Sequence, residues 1–173
     1  MPEDPTIEVF DYGTTAEEAD AGKGNVDIKE TDDGYSYSIE EDVNYPKFTF
    51  RASCSEGETI TSVNVYYKLD NTFESLTDET ELKAALAFNN DKDKMIADAS
   101  TKINKSTLLA IISKGEMADI DSDSCPALKL TADMFTPYEG KYTYIVIEVK
   151  DSAGGTTYQK IKIFKKPHLF DLT

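Results

Sequence analysis

Three carboxylates at alternate positions, Asp119, Asp121 and Asp123, have the spacing of a calcium-binding loop. Oxygen ligands at alternate positions can converge on one hard cation. An EF-hand loop also needs glycine at its sixth position and glutamate at its twelfth, where this chain has Ser124 and Leu130. We therefore interpret the segment as a solvated acidic loop. The sequence predicts no cofactor, with Ca²⁺ at these three aspartates as the alternative.

Tyrosines on predicted strands are the second candidate group, because an exposed aromatic face can stack on a sugar ring. Tyr66, Tyr142 and Tyr144 each lie on the side of a strand opposite its aliphatic residues. If the aliphatic sides are buried, these tyrosines point to solvent and can bind a ligand. The competing interpretation makes them half-buried strand residues, and we favour it because the chain has no tryptophan.

Catalytic side chains are scarce. His168 is the only histidine, and it follows Pro167 in a C-terminal tail. A nucleophile-activating histidine must be fixed within hydrogen-bond reach of its partner, which a tail does not provide. Carboxylates are abundant, but nothing in the sequence singles out the pair that a glycosidase needs. We predict that the chain is not an enzyme, and a hydrolase is the least favoured alternative.

Two cysteines, Cys54 and Cys125, are too few for a structural zinc site and do not form a CxxC pair. A disulfide between them would close a long loop and stabilise the fold by roughly 4 kcal/mol. The equally favoured alternative is a pair of buried free thiols.

The charge balance excludes several partners. The chain has 173 residues and a net charge of −15, and Arg51 is its only arginine. Nucleic acid needs clustered basic side chains, and anionic membrane surfaces also attract them. No apolar run reaches the length of a membrane span. The polar, acidic start is unlike a secretory leader, so the chain is either cytosolic or a mature secreted protein whose leader was removed.

Alternation of apolar and polar residues predicts about eight short strands separated by turns, which is typical of a sandwich. Asp33-Gly34, between two alternating runs, predicts a hairpin. Residues 78–81 resemble a capping box and precede a helical pattern. A second segment, 107–114, reads as a short helix, although its apolar run could also be a buried strand.

These elements give a mainly β fold with one sandwich over residues 43–173. Residues 1–42 form an N-terminal extension that could add a hairpin. A helical insertion at about residues 70–120 separates the first strand pair from the last.

Two segments carry a family resemblance. Phe48–Cys54, the Gly57 turn and Ile60–Tyr67 resemble the second and third strands of bacterial immunoglobulin-like domains. Gly140–Phe164 resembles their last two strands, in which Gly-x-Tyr and alternating apolar residues precede Asp and a small-residue turn. The resemblance implies an antiparallel immunoglobulin-like β-sandwich and would turn Tyr142 inward as a corner tyrosine. The interval from Tyr142 to Asp151 is one residue longer than the family pattern, which predicts a bulge or a kink.

Such domains are often modules of secreted bacterial surface lipoproteins, including those of glycan-uptake systems in gut bacteria. The resemblance therefore implies a non-catalytic, extracellular module that binds a partner or acts as a spacer. Its partner would be a surface glycan or another surface protein. The alternative is an adhesion or protein-interaction domain that is stabilised by calcium.

Overall fold

A computed structural model describes residues 3–39, 46–68, 105–121 and 143–165. Within these ranges the chain forms eight β-strands and two α-helices. In chain order they are β1 (Thr6–Phe10), α1 (Ala16–Asp20), β2 (Ile28–Thr31), β3 (Gly34–Ile39), β4 (Phe48–Ser53), β5 (Ile60–Lys68), α2 (Lys105–Ser113), β6 (Ala118–Ile120), β7 (Thr143–Asp151) and β8 (Thr156–Lys165).

The strands form two sheets. One sheet has three antiparallel strands in the order β1-β4-β6. The other has five strands in the order β2-β3-β8-β7-β5, in which the β3–β8 pair is parallel and the other pairs are antiparallel. Both sheets contribute to one hydrophobic core, as the two layers of a β-sandwich do. The prediction of a mainly β fold is confirmed.

The core is filled by the alternating sides that the sequence marks as apolar. On β4, Phe48 and Phe50 are both 0% exposed, and their ring centroids lie 6.1 Å apart. On β7, Ile145 and Ile147 are also 0% exposed. Residues two apart on a strand share a side, so each strand buries one continuous apolar row.

Helix α2 packs on this core through Leu108 and Ile112, which are 0% and 1% exposed. Residues four apart lie on one side of a helix, which accounts for their common burial. The helical interpretation of this segment is therefore confirmed over the strand alternative. Strand β6 follows α2 and pairs with β4, so the described part of the range 70–120 contains both a helix and a strand. The rest of the predicted insertion and the 78–81 capping box lie outside the described residues.

The predicted hairpin is present as β2 and β3, with Thr31 paired to Gly34 across the turn. Strand β3 extends the five-stranded sheet by pairing with β8, and β1 pairs with β4. The N-terminal residues up to Ile39 thus contribute strands to both sheets.

The bulge lies on a different strand from the predicted one. Strand β7 pairs with β8 in continuous register from Thr143 to Lys150. The register shift is on β5, between Ile60 and Ser62. Tyr142 lies outside the described residues.

Side chains cover the edge of β1, whose backbone would otherwise offer free hydrogen-bonding groups. Three alternate carbonyls accept hydrogen bonds from side chains elsewhere in the fold. The acceptors are Pro5, Ile7 and Val9, and the donors are Thr157, Gln159 and Asn25 in that order. Two of these donors belong to β8, so the bonds also tie the two sheets together.

No helix in the described ranges has both the length and the apolar character needed to cross a membrane.

Candidate functional site

The candidate site lies where β1 ends and β4 begins. Two large hydrophobic side chains are exposed in the described ranges, Tyr12 at 41% and Val26 at 76%. Both belong to the connection between β1 and β2, which also contains helix α1. Exposed apolar groups on a loop that rigid strands hold in place are a common feature of binding sites.

Asp11 organises this connection. Its carboxylate accepts hydrogen bonds from the backbone N–H groups of Val26, Asp27 and Ile28, at 2.8, 3.1 and 2.8 Å. Its own N–H donates to the Gly24 carbonyl at 2.7 Å. Hydrogen bonds to a charged acceptor are stronger than neutral ones, so this aspartate fixes both ends of the loop. Asp11 therefore has a structural task, although it lines the site.

Tyr12 is fixed from two sides. Its hydroxyl donates to Asp121 Oδ2 at 2.7 Å, and the Lys47 ammonium lies 5.1 Å from its ring centroid, within cation–π range. The next residue, Gly13, donates its N–H to the Thr49 hydroxyl at 2.9 Å. The ring is therefore held in one place while 41% of the residue stays exposed.

A groove runs beside this ring; we call it the Tyr12 groove. It encloses about 230 Å³ and is lined by Asp11, Tyr12, Asp27, Ile28, Tyr37 and Lys47. A wider cleft of about 590 Å³ adjoins it and shares Asp11 and Tyr12. The groove combines aromatic surface, two carboxylates and an ammonium group. Such a lining can stack on a ring and exchange hydrogen bonds with its hydroxyl groups.

Tyr37 supplies the second aromatic wall. Burial raises the pKa of its phenol, the Asp27 charge raises it further, and a hydrogen bond from the Lys47 backbone partly offsets both. Burial likewise raises the pKa of Tyr35 on the same strand. Both shifts favour the neutral phenol, which can donate a hydrogen bond.

The raised pKa of Tyr37 makes stability depend on alkaline pH. An unfolded tyrosine ionises near about pH 10, whereas the folded phenol keeps its proton to a higher pH. The resulting stabilisation is complete below about pH 10 and is lost as the pH rises through the folded pKa. As the pH rises from about 9 to 12, we expect the free energy of unfolding, measured in urea, to fall less for Tyr37→Phe than for the wild type. Identical pH profiles would contradict this assignment.

Tyr144 is a buried strand residue, so here the structure favours the structural interpretation over an exposed binding face. The opposite side of β7, with Ile145 and Ile147, does point into the core, yet Tyr144 is only 4% exposed. Val146, the next residue on the Tyr144 side, is 0% exposed. Both sides of β7 are buried, and alternation identifies only the more apolar one. The Tyr144 ring lies 5.9 Å from the Lys160 ammonium and lines a separate cleft of about 390 Å³.

The other two tyrosines are not placed. Tyr66 belongs to β5, but its side chain lies outside the described residues, as does the whole of Tyr142. Their binding role stays a prediction.

The predicted calcium residues bind other groups. Asp119 accepts a hydrogen bond from the Thr49 hydroxyl, and Asp121 accepts one from Tyr12. Asp121 thereby holds the β1–α1 turn directly, and Asp119 does so through Thr49, which accepts the N–H of Gly13 in that turn. No three His, Cys, Asp or Glu side chains come together as a metal site within the described ranges. Asp123 lies outside them, so calcium at this loop stays a prediction.

Cys54 carries a free, partly buried thiol at the end of β4. Burial raises its pKa, and the charges of Asp151 and Glu58 raise it further. The protonated thiol is favoured, which makes Cys54 a poor nucleophile. Cys54 forms no disulfide in the described part of the chain, and Cys125 lies outside the described residues. His168 lies outside them too.

Sequence reasoning missed Tyr12, Val26 and Lys47. A usable signal was present, because Tyr12 stands between Asp11 and Gly13 directly after a predicted strand. An aromatic residue at such a position belongs to a surface turn and not to the core. The alternating pattern that marks the strand tyrosines does not extend to this turn.

The chain matches no protein-family model, no curated protein and no solved structure.

Proposed function

We propose that this chain is a non-catalytic, extracellular module of a bacterial cell-surface protein or lipoprotein, and that the Tyr12 groove binds a glycan. The observation that carries the proposal is the fixed but exposed Tyr12 ring, with carboxylates and an ammonium group beside it. Sugar rings have one apolar face and a rim of hydroxyl groups, which such a lining complements.

We also propose that the sandwich is immunoglobulin-like, and the strand order supports this. Strands β1, β4 and β6 have the pairing of strands A, B and E in such a domain, and β5, β7 and β8 have that of C, F and G. The β2–β3 hairpin is then an addition beside β8. Because many functions share this architecture, it supports a binding or spacing module without identifying its ligand.

In the proposed binding mode, the exposed face of Tyr12 stacks on the apolar face of a sugar. Asp27 and Lys47 accept and donate hydrogen bonds to its hydroxyl groups. Asp121 holds the Tyr12 ring before the ligand arrives, so binding costs little conformational entropy. The Tyr12 groove, at about 230 Å³, accommodates one or two sugar residues. Further residues of the glycan would lie in the adjoining cleft.

Tyr12→Ala tests this function. We expect it to weaken binding of a soluble neutral polysaccharide by about five-fold or more, since stacking contributes about 1 kcal/mol or more. Isothermal titration calorimetry against a panel of such polysaccharides measures the effect. Glu56→Ala, in the turn after β4 at the other end of the sandwich, is the matched control and should bind like the wild type. The proposal fails if no polysaccharide binds, or if Tyr12→Ala binds as tightly as the wild type.

A protein partner is the second candidate, and Val26 favours it. This aliphatic side chain is 76% exposed and adds apolar surface beside Tyr12. Such surface suits a protein interface better than it suits a sugar, which is rich in hydroxyl groups. A module that binds no polysaccharide but whose Tyr12 and Val26 resonances shift with a surface protein would fit this adhesion alternative.

A further inference from the structure

Two carboxylates converge beside Gly155, at the end of the sandwich opposite the Tyr12 groove. The point where a Cβ of residue 155 would stand lies 2.8 Å from Asp4 Oδ1. The same point is 3.0 Å from Asp151 Oδ2 and 3.2 Å from Asp151 Oδ1. Three carboxylate oxygens from two distant parts of the chain thus lie within 3.2 Å of one point and border the same small volume. Glycine at 155 leaves that volume free.

Asp151 points an unsatisfied oxygen towards this volume. The residue is only 4% exposed. Its Oδ1 accepts the N–H groups of Ala153 and Gly155 at 3.0 and 2.7 Å, which holds the β7–β8 turn. Its Oδ2 is buried and has no hydrogen-bond partner. A buried, unpaired carboxylate oxygen is costly, so a ligand for it is expected on physical grounds.

The surroundings add negative charge. Glu58 accepts a hydrogen bond from Ser152 in the same turn. Because Ser152 directly follows Asp151 in the chain, this hydrogen bond places the Glu58 carboxylate at the same turn. None of the ion pairs within the described ranges includes Asp4, Glu58 or Asp151. A cation would satisfy the free oxygen and relieve the repulsion at once.

We propose that Asp4 and Asp151 bind a hard divalent cation, with Ca²⁺ as the occupant. Calcium accepts carboxylate oxygens in flexible geometry and completes its shell with backbone oxygens and water. Two carboxylates are few for calcium, so the affinity should be that of extracellular modules, with a Kd of about 0.1–1 mM. The ion would fasten the segment before β1 to the β7–β8 turn. This site is distinct from the loop of Asp119, Asp121 and Asp123.

Calcium titration of matched variants tests the site. In the wild type we expect one calcium to bind by calorimetry, and about 10 mM CaCl₂ to raise Tm by about 3–5 °C over a chelator. Asp4→Asn should lose both effects, and because Asp4 is exposed the variant should still fold. Glu3→Gln removes the same charge from the neighbouring exposed residue and should keep both effects. Mg²⁺ at equal concentration separates a specific site from general screening of an acidic chain.

The site is disproved if the wild type binds no calcium, or if Asp4→Asn binds it as the wild type does. Loss of the effect in Asp121→Asn alone would place calcium at the β6 loop and overturn the proposal. An equal decrease in calcium affinity for Glu3→Gln and Asp4→Asn would show that calcium binding depends only on the overall charge, which would also overturn the proposal. A loss of calcium binding and of the rise in Tm that is confined to Asp4→Asn confirms the proposed site.

Discussion

Phe50→Ala is expected to lower the free energy of unfolding by about 3–5 kcal/mol. Phe50 is 0% exposed and lies on the central strand of the three-stranded sheet, paired with Val9 on one side and Ala118 on the other. Its ring packs against Phe48 and fills the space between the two sheets. Truncation removes apolar contact and leaves a cavity that rigid strands on both sides cannot close.

Equilibrium unfolding in urea measures the loss. Val26→Ala is the matched control, because it shortens a side chain that is 76% exposed and should change stability by less than about 0.5 kcal/mol. The m-value should be the same for both variants, since each unfolds the same surface. A loss below about 1 kcal/mol for Phe50→Ala would mean that the two sheets do not enclose this ring.

The parts of the fold that local sequence signals specify could be predicted. Alternation identified the buried rows of β4 and β7, because a strand side is read directly from every second residue. Asp33-Gly34 identified the hairpin, since the turn needs a residue that accepts positive φ, and Gly34 has φ +133°. In the same way, the small residues after Asp151 identified the β7–β8 turn.

Pairing between distant segments could not be predicted. The parallel pair of β3 and β8 joins residues 126 positions apart, such as Tyr35 and Ile161, and no residue type marks it. Strand β6 is three residues long and overlaps the acidic alternation that suggested a calcium loop. In that segment, the same alternation places one set of side chains in the core and the other set in hydrogen bonds. Ala118 and Ile120 face the core, while Asp119 and Asp121 accept hydrogen bonds from Thr49 and Tyr12.

The candidate site also depends on contacts between distant segments, which local sequence patterns do not specify. Whether Tyr144 is exposed depends on what covers the second side of a sheet, which alternation along one strand does not contain. Tyr12 is functional in our proposal because Asp121 and Lys47 meet it from other parts of the chain. The sequence supplies the residue types, but only the fold brings them together.

Gly34→Ala should be the most damaging single-methyl change in the described part of the chain. Gly34 has φ +133°, a conformation that is strained for any residue with a side chain. An added Cβ would also collide with the Lys160 backbone carbonyl on β8. That carbonyl belongs to a strand interior and cannot rotate away as a side chain could. Strain and overpacking together should cost about 3 kcal/mol or more.

Gly57→Ala separates these two contributions. Gly57 also has positive φ, at +87°, but nothing lies within 4 Å of the position of its Cβ. It should therefore cost only the backbone strain, about 1–2 kcal/mol. Urea unfolding of both variants gives the difference, which reports how closely the β2–β3 hairpin packs on β8. If the two losses are equal, the hairpin does not press on β8, and the parallel pair that joins the N-terminal strands to the five-stranded sheet is wrong.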